Sequence, residues 1–521
     1  MNRLDRLIAV VSPNTALKRQ EARHKLNILN SGYGNHGASR TKKSMFGWNF
    51  KGGSTNEDVI KNLDTLRQRS RDLFMGGAAL ATGALKTSRT NVVGTGLKLK
   101  PSFDAEFLGL SEEEAKELKR TIEREFDLWA DSKVCDVMGL NNFYELQQLA
   151  YLSQLMSGDC FTLLPLIQDQ NSIYDLRVRV IEADRCCDPE KKDNKDIQGG
   201  VEVDVNGTVR AYHFVNQHPL GSSTEKKEWS RVEVFGESTG RRNVLHLMES
   251  ERPEQRRGVP ILAPVIESLK QIGRYTEAEL MAAVVSGLFT VFVHSETGEL
   301  LENDIDSDSE QTESENQEPL ELGNGSIINL LPGEKIETAN PGRPNAVFDT
   351  FVTAILRQVG AALEIPYELL VKHFTASYSA SRAALLEAWK SFRMRRTWLA
   401  SDFCQPIYDE WFGEAVAKGR IHAPGFFDDP VIRKAYTKAE WHGPSPGQID
   451  PLKEVNAAEK RVTNGFSTRE RETAELIGGD FEMNHRQLVR EKKMRDEAGL
   501  STEGGEKSEQ VLEDDQKFSE E

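Results

Sequence analysis

The sequence predicts a mainly helical α+β protein, and three patterns support this fold class. Apolar residues recur every three or four positions from residue 381 to 418, which predicts a helix of roughly 57 Å at about 1.5 Å per residue. Asn206-Gly207 separates two runs of alternating hydrophobicity and is a strong hairpin signal. Two capping boxes, in which an N-cap side chain pairs with a glutamate three residues later, predict further helix starts. They are Ser111 with Glu114 and Asn142 with Glu145.

The first hundred residues or so are predicted to form a basic arm, then a helix, then a strand. Residues 1–52 carry ten Lys or Arg against two acids. Because residues 1–56 also lack a sustained hydrophobic period, we predict an arm that orders only on assembly. A helix is predicted from Val59 to Leu85, ending near Thr90-Asn91, and Val92 to Pro101 has the pattern of a strand.

The middle of the chain is predicted to mix strands and helices. Strands are expected at Cys160 to Ile167 and on both sides of the hairpin turn within residues 201–215. Pro264 suits the first turn of a helix that runs to about Ser286. Two further strands, at residues 287–293 and 326–331, flank an acidic stretch. That stretch, residues 296–321, holds eleven acids and no base, which predicts a solvated loop.

The C-terminal part of the chain is predicted to be helical. A helix in residues 347–364 should stop before Ile365-Pro366, since the residue before a proline disfavours the α conformation. Pro406 should kink the long helix. Another helix is expected from Asp450-Pro451 to Gly465, and Ser467 with Glu470 forms a capping box for the next. The last twenty or so residues have a disordered composition.

Charge and composition narrow the function class. The 521 residues carry a net charge of −16, so the protein as a whole should repel nucleic acid rather than coat it. Five cysteines without a CxxC pair predict reduced thiols. The longest apolar run, Met281 to Val293, is below the ~18 residues that a membrane-spanning helix needs. We therefore expect a globular protein that does not span a membrane.

Two motifs of common enzymes are missing from the sequence. It has no H-E-x-x-H, and it has no Gly-Lys dipeptide, so it lacks a Walker A loop. The ten histidines are scattered and no CxxC pair accompanies them, and we predict no metal and no cofactor. Ser377, Ser379 and Ser381 lie near His373, but serines before a helix more often cap its free N–H groups than act as nucleophiles. We favour capping, by Ser379 or Ser381.

The long helix that follows these serines is strongly basic. Such residues usually form a solvated face, but a stripe of them also suits phosphates or a neighbouring subunit. Against Glu387 alone, the basic residues are Arg382, Lys390, Arg393, Arg395 and Arg396.

Three stretches resemble the portal proteins of tailed bacteriophages, specifically the lambda-type portal family. They are ERPEQRRGVPILAPVIESLKQIGRYTEAELMAA (251–283), IPYELLVKHFTASYSASRAALLEAWKSFRMRRTWLASDFCQPIYDEWFGEAV (365–416) and WHGPSPGQIDPLKEVNAAEKRVTNGFSTRERE (441–472). The resemblance extends from about residue 60 to about residue 490. The acidic stretch 296–321 departs from the family pattern.

The resemblance implies a structural protein rather than an enzyme. It implies a ring of about twelve copies at one capsid vertex, around a channel for double-stranded DNA. The implied partners are the terminase large subunit, which supplies the ATPase, the head-tail connector, and capsid and scaffold proteins. The implied locations are the virion and, during assembly, the host cytoplasm. Two alternatives stay open: a head-tail adaptor or scaffold-like protein without a DNA channel, and a serine hydrolase or maturation protease.

The portal fold has wing, stem, clip and crown regions, and the resemblance assigns them along the chain. The assignments are: arm 1–56; wing 57–260; stem helix 261–286; clip 287–340; second stem helix 341–364; tunnel loop 365–380; spine helix of the wing 381–420; wing and crown helices 421–490; disordered acidic tail 491–521. The loop residues expected to face DNA are Lys372, His373, Phe374, Thr375, Ser377 and Tyr378. The basic residues of the spine helix are expected to contact DNA or a neighbouring subunit.

Overall fold

The computed structural model shows a mainly helical α+β architecture, as predicted. The chain divides into two compact units, Met1–Asp58 and Val59–Glu521. The structure describes residues 12–15, 18–19, 21–22, 52–170, 172–189, 196–222, 224–287, 291–295, 334–338, 347–374, 377–447 and 450–500. Most of the predicted basic arm lies outside these residues. Within the described part, no helix combines the length and hydrophobicity needed to cross a bilayer.

Two helices, rather than the single predicted one, follow the arm. Helix α1 spans Thr55–Met75 and α2 spans Ala79–Val92. The break falls at Gly76-Gly77, where Gly77 has φ 137°, a backbone angle that favours glycine. Because α2 continues to Val92, the strand β1 is limited to Lys98–Pro101 and is shorter than predicted.

The capping boxes predicted at Ser111 and Asn142 are confirmed. Helix α3 spans Glu112–Ala130 and α4 spans Phe143–Ser157. Ser111 accepts from the Glu114 N–H at 3.3 Å, and Asn142 accepts from the Glu145 N–H at 2.9 Å. Each glutamate in turn accepts from the N-cap backbone N–H. Local sequence alone therefore defines where these helices begin.

Antiparallel sheets form the β part of the fold. Strand β2 lies between β3 and β8, and β4, β5, β6 and β7 follow in order in a second sheet. The hairpin predicted at Asn206-Gly207 is confirmed, and it joins β5 to β6. The predicted strand 160–167 ends instead at Leu163. The bounds are Asp159–Leu163 (β2), Arg179–Ile181 (β3), Ile197–Gln198 (β4), Val201–Val203 (β5), Val209–Val215 (β6), Trp229–Glu233 (β7) and Val244–Met248 (β8).

A small two-stranded sheet lies between two helices in the sequence. Helix α5 spans Ile266–Gly287, and α6 spans Phe348–Ala362. Between them, β9 (Val291–Ser295) pairs antiparallel with β10 (Glu334–Thr338). The predicted strand 326–331 and the acidic stretch 296–321 lie outside the described residues. Strand β10 was not identified from the sequence.

The predicted spine helix is divided by a π-helical turn. Helix α7 spans Tyr367–Val371, α8 spans Tyr378–Leu399, and α9 spans Gln405–Ala417. Between α8 and α9, residues 400–404 are π-helical, and Gln405 N–H donates to the carbonyl of Ala400. Pro406 has no N–H to continue the α-helical pattern, so the disturbance predicted there takes this form.

The C-terminal region contains short helices and one strand. Strand β11 pairs with β1. Helix α11 begins after Asp450, whose side chain accepts from Lys453 N–H, as predicted. The N-cap of α12 is Thr468 instead of the predicted Ser467, because the Thr468 hydroxyl accepts from Arg471 N–H at 3.2 Å. The bounds are Pro430–Tyr436 (α10), Ala439–His442 (β11), Pro451–Thr463 (α11), Arg469–Ile477 (α12) and Phe481–Glu497 (α13).

Aromatic side chains form the centre of the main core. The ring of Phe126 on α3 lies 5.0 Å from that of Trp411 on α9 and 5.7 Å from that of Phe143 on α4. The apolar stripe predicted for the spine helix is buried here, with Phe392, Leu399 and Phe403 at most 1% exposed. Helices separated by some 300 residues in sequence thus share one core, which holds the spine helix in place.

Candidate functional site

The segment between α6 and α8 is the predicted tunnel loop, and most of its first half is packed. Leu363, Ile365 and Leu370 are at most 4% exposed. They anchor α7 between α6 and α8. The predicted loop 365–380 therefore reduces to residues 372–377, between the end of α7 and the start of α8.

Two non-glycine residues with left-handed backbones bracket α7. Glu364 has φ 56° and Lys372 has φ 55°. The Glu364 carboxylate accepts from the Ser391 hydroxyl at 2.8 Å and from Arg395 Nη2 at 3.1 Å. Lys372 follows the last turn of α7, and its N–H donates to the Glu368 carbonyl. A lysine with a left-handed backbone costs free energy relative to glycine. The packing of α7 must therefore hold this conformation, and it fixes the point at which the loop leaves the body.

The described side chains of the loop point to solvent. Lys372, His373 and Ser377 are exposed, and Phe374 is 50% exposed. Thr375 lies outside the described residues, and Tyr378 is the first residue of α8. The structure thus presents a base, an imidazole and an aromatic ring on a short connection.

The predicted capping role of Ser379 and Ser381 is wrong. Both residues lie inside α8, and Ser377 occupies the N-cap position without a side-chain capping bond. The hydroxyl of Ser377 lies 3.4 Å from that of Ser379. Within residues 347–374 and 377–447, no hydrogen bond joins His373 to any of the three serines. The described geometry assembles no nucleophile and base pair of the kind that a hydrolase uses.

Two of the five basic residues on α8 serve the fold of this chain. Arg395 is 6% exposed and lies beside Glu364. Arg396 donates to the backbone carbonyls of Asn91, Val92 and Pro444 at 2.8 to 3.0 Å, and stacks over Trp389. Burial and the nearby Arg393 charge lower the pKa of Arg396 to about 10. These contacts join α2 and the start of the C-terminal region to the spine helix.

The other three basic residues are nearer to solvent. Arg382 binds Glu454 of α11 at 2.7 Å, and Arg393 lies 3.9 Å from Glu475 of α12. Lys390 pairs with Glu387 on its own helix at 2.6 Å, and both side chains are more than 70% exposed. Sequence spacing did not distinguish these residues from the two buried arginines.

An exposed apolar face on the helix pair α5 and α6 is a further feature of this region. Leu280 and Met281 of α5 are 64% and 59% exposed, and Phe351 of α6 is 50% exposed. The two helices are joined through Tyr275, whose ring lies 5.3 Å from that of Phe348 and 5.5 Å from that of Phe351. Large apolar side chains exposed together on neighbouring helices are typical of a surface that another protein chain covers.

A buried ionic cluster, which sequence reasoning missed, joins three segments that lie far apart in the sequence. The Asp159 carboxylate is fully buried and accepts from Arg67 at 2.7 Å and from Arg257 at 2.7 Å. Arg257 also donates to the carbonyls of Ala183, Cys186 and Gly199. Burial alone would raise the pKa of Asp159, but the charges of Arg257 and Arg67 hold it well below its usual range. The carboxylate is therefore charged, and it fixes three distant segments.

Two glycines bring this cluster together. A Cβ on Gly258 would lie 1.9 Å from the Gly158 carbonyl oxygen, and Gly158 has φ 89°. Only glycine permits the two backbones to cross so closely. The crossing places Asp159 next to Arg257, each one residue from a crossing glycine. The RRGVP motif at 256–260 was one available signal for this site.

Titratable side chains do not gather into a metal site in the described residues. No three His, Cys, Asp or Glu side chains there are grouped so as to hold an ion. The five cysteines are free thiols. Two surfaces among the described residues are functional candidates: the loop 372–377 and the apolar face of α5 and α6.

The chain is similar to several known proteins. The family described as "Phage portal protein, lambda family" matches residues 41–396. Portal protein B of Escherichia phage lambda is 24% identical over 473 residues, covering 87% of this chain and 88% of that protein. The portal protein of Escherichia phage N15 is 24% identical over 475 residues, covering 87% and 89%.

Solved structures of gene transfer agent particles are also similar to this chain. The neck of a native particle with C12 symmetry matches at a TM-score of 0.41 and 11% identity, over 81% of this chain and 99% of that one. The neck of an empty particle with C6 symmetry matches at a TM-score of 0.40 and 13% identity, over 78% of this chain and 93% of that one. The assignment rests on the sequence match, which covers well over half of the residues. The chain belongs to the lambda family of phage portal proteins.

Proposed function

We propose that this chain forms a ring of about twelve copies at one capsid vertex, and that double-stranded DNA is packaged and ejected through the central channel. The terminase large subunit supplies the ATPase, and the head-tail connector docks after packaging. Capsid and scaffold proteins surround the ring in the virion and during assembly in the host cytoplasm. Membership of the portal family and the exposed apolar face of α5 and α6 support this proposal.

The exposed apolar face of α5 and α6 is the main structural support for the proposed ring. Leu280, Met281 and Phe351 are at least 50% exposed on one chain. In a ring, each copy covers the face of its neighbour, and such head-to-tail contacts close when the rotation between copies divides a full turn. A second copy of the chain is therefore the occupant of this face.

The loop and the charge of the ring suit a channel. The loop 372–377 follows the second helix of the pair after only the short helix α7, so every copy would present Lys372, His373 and Phe374 at one level. Each chain carries a net charge of −16, and a ring that is acidic overall binds phosphates weakly, which lets DNA slide. A few basic and aromatic side chains at one constriction then contact the DNA without binding it tightly.

Charge introduced on the apolar face tests the ring. We expect the double variant Leu280→Glu with Phe351→Glu to remain folded but to lose ring particles in electron microscopy and light scattering, because burying two like charges costs several kcal/mol. The matched control is Val205→Lys, at a fully exposed hairpin position, which should leave the particles unchanged. Wild-type particles without a central opening would favour an adaptor, and intact rings in the double variant would exclude this face from the interface.

Two substitutions at Lys372 separate the loop's charge from its backbone conformation. Lys372→Gly suits the left-handed backbone and should leave stability unchanged or raise it by up to about 1 kcal/mol. Lys372→Glu places a like charge opposite phosphate once per copy and should reduce DNA packaged per head several-fold at low salt. The defect should lessen as salt screens the repulsion. Wild-type packaging by Lys372→Glu in intact rings would remove this residue from the DNA path.

A further inference from the structure

The helices α11 to α13, residues 451–497, are attached to the body of this chain in an unusual way. Among described residues 451–500, Ala458 and Glu472 are the buried side chains. Glu472 is held by Arg461 at 2.6 Å, within the same segment. Ala458 therefore supplies the buried apolar contact, which is very little for three helices.

Ion pairs take the place of an apolar core along this boundary. Arg382 of α8 binds Glu454 of α11 at 2.7 Å, and Arg393 of α8 lies 3.9 Å from Glu475 of α12. Lys100 of β1 binds Asp480, the N-cap of α13, and lies 3.7 Å from Glu470 of α12. Three basic residues of the body thus contact four acids of the segment.

Open clefts accompany these ion pairs along the same boundary. A cleft of about 370 Å³ lies between α8, α11 and α12, and it is lined by Arg382, Arg393, Glu454 and Glu475 among others. A second, of about 820 Å³, lies between α8, β11 and α12. A third, of about 530 Å³, is lined by Lys100, Glu123 and Glu482. Clefts of this size that are lined by charged side chains hold water, so the ion pairs beside them are accessible to salt.

We propose that residues 451–500 form an electrostatically latched segment, which undocks from the body as a unit when the three sets of ion pairs are screened. Ion pairs that are partly exposed are individually weak and depend on ionic strength. The side chains of these pairs range from 14% exposed for Lys100 to 53% exposed for Arg393. Apolar burial, which is insensitive to moderate screening, contributes little here. After β11, residues 443–447 are neither helix nor strand and contain Gly443, Pro444, Pro446 and Gly447.

Amide hydrogen exchange of the full-length protein measures the undocking. Helix α12 has 9 residues, and isolated helices shorter than ~12–15 residues are marginal in water. Undocking therefore exposes its amides. Raising NaCl from about 0.1 M to about 1 M shortens the Debye length from roughly 10 Å to roughly 3 Å. We expect exchange in α12 to accelerate about tenfold, since three weak contacts of roughly two- to threefold each are lost. Exchange in the core helix α4 should stay unchanged.

Swapping the charges of Arg382 and Glu454 at constant salt tests whether this ion pair holds the segment on the body. Arg382→Glu should accelerate exchange in α12 about threefold or more at about 0.1 M NaCl, since it turns attraction to Glu454 into repulsion. Adding Glu454→Arg should restore the slow rate. The matched control is Lys390→Glu, which lies on the same helix but pairs with Glu387 of that helix, and it should have no effect on α12.

Two results would overturn the proposal. One is exchange in α12 that is independent of salt, which would mean that apolar contacts hold the segment. The other is an Arg382→Glu effect that Glu454→Arg does not reverse, which would mean that the pair has no latching role. Light scattering under every condition separates undocking from any change in oligomeric state. If the oligomeric state itself changes with salt, the test with Arg382→Glu and Glu454→Arg still distinguishes the two explanations, because it is made at one salt concentration.

Discussion

Asp159→Asn is expected to lower the free energy of unfolding by about 3–5 kcal/mol, because it leaves Arg67 and Arg257 buried without their counter-charge. Both arginine side chains are 2% exposed, and both lie 2.7 Å from the carboxylate. An amide keeps the shape of the side chain and supplies no negative charge. Urea unfolding followed by circular dichroism, at matched protein concentration, measures the loss.

Asp131→Asn is the matched control for this substitution. Asp131 lies 3.9 Å from Lys98, and its side chain is 64% exposed. Exposed ion pairs contribute roughly 0–1 kcal/mol, so the control should be nearly neutral. Equal stability of the two variants would show that the buried cluster does not depend on the charge of Asp159.

The same carboxylate gives the stability a predictable dependence on pH. The pKa of Asp159 is lowered in the folded state, relative to about 3.9 in an unfolded chain. Its contribution is therefore complete above about pH 4 and is lost progressively as the pH falls below that value. The stability difference between wild type and Asp159→Asn should shrink on acidification from pH 6 to about pH 3. A constant difference across this range would contradict the assignment.

Gly258→Ala is expected to destabilise the protein by about 3 kcal/mol or more, through a backbone clash. The added carbon would lie 1.9 Å from the Gly158 carbonyl oxygen and 2.5 Å from its carbon. A backbone atom cannot move aside as a flexible side chain does. Relief of the clash would separate the backbone segments around Gly158 and Gly258 and move Arg257 away from Asp159.

Gly273→Ala tests whether this effect belongs to the crossing. Gly273 lies within α5, and a Cβ there would meet nothing within 4 Å. Alanine in a helix interior is favoured over glycine by about 0.5–1 kcal/mol. The control should therefore be neutral or slightly stabilising in the same urea experiment. A mild effect of Gly258→Ala would mean that the two segments can separate without loss of the buried cluster.

The predicted spine helix illustrates what helical spacing leaves undecided. Its apolar stripe was recognised, and it is buried as expected. Its basic residues formed a single set in the sequence, but Arg395 and Arg396 bind within the chain, whereas Lys390 and Arg393 stay more than half exposed. Helical spacing identifies the face on which a residue lies. It does not identify the distant segment that packs against that face.

The sequence by itself determined the features that depend on neighbours within a few residues. Helix α3 begins at Glu112 because Ser111 and Glu114 satisfy each other's backbone groups, and the turn at Asn206-Gly207 joins β5 to β6 because that dipeptide tolerates the required backbone angles. The family assignment followed from motifs of the same local kind.

Tertiary structure alone decided the contacts between segments that are far apart in sequence. Asp159 meets Arg67 and Arg257 across 92 and 98 residues, and the crossing of Gly158 with Gly258 makes that meeting possible. The split of the predicted loop also has this origin, since Ile365 and Leu370 are buried by helices elsewhere in the chain. Hydrophobic burial and ion pairing depend on which surfaces the fold brings together, and no local pattern specifies those partners.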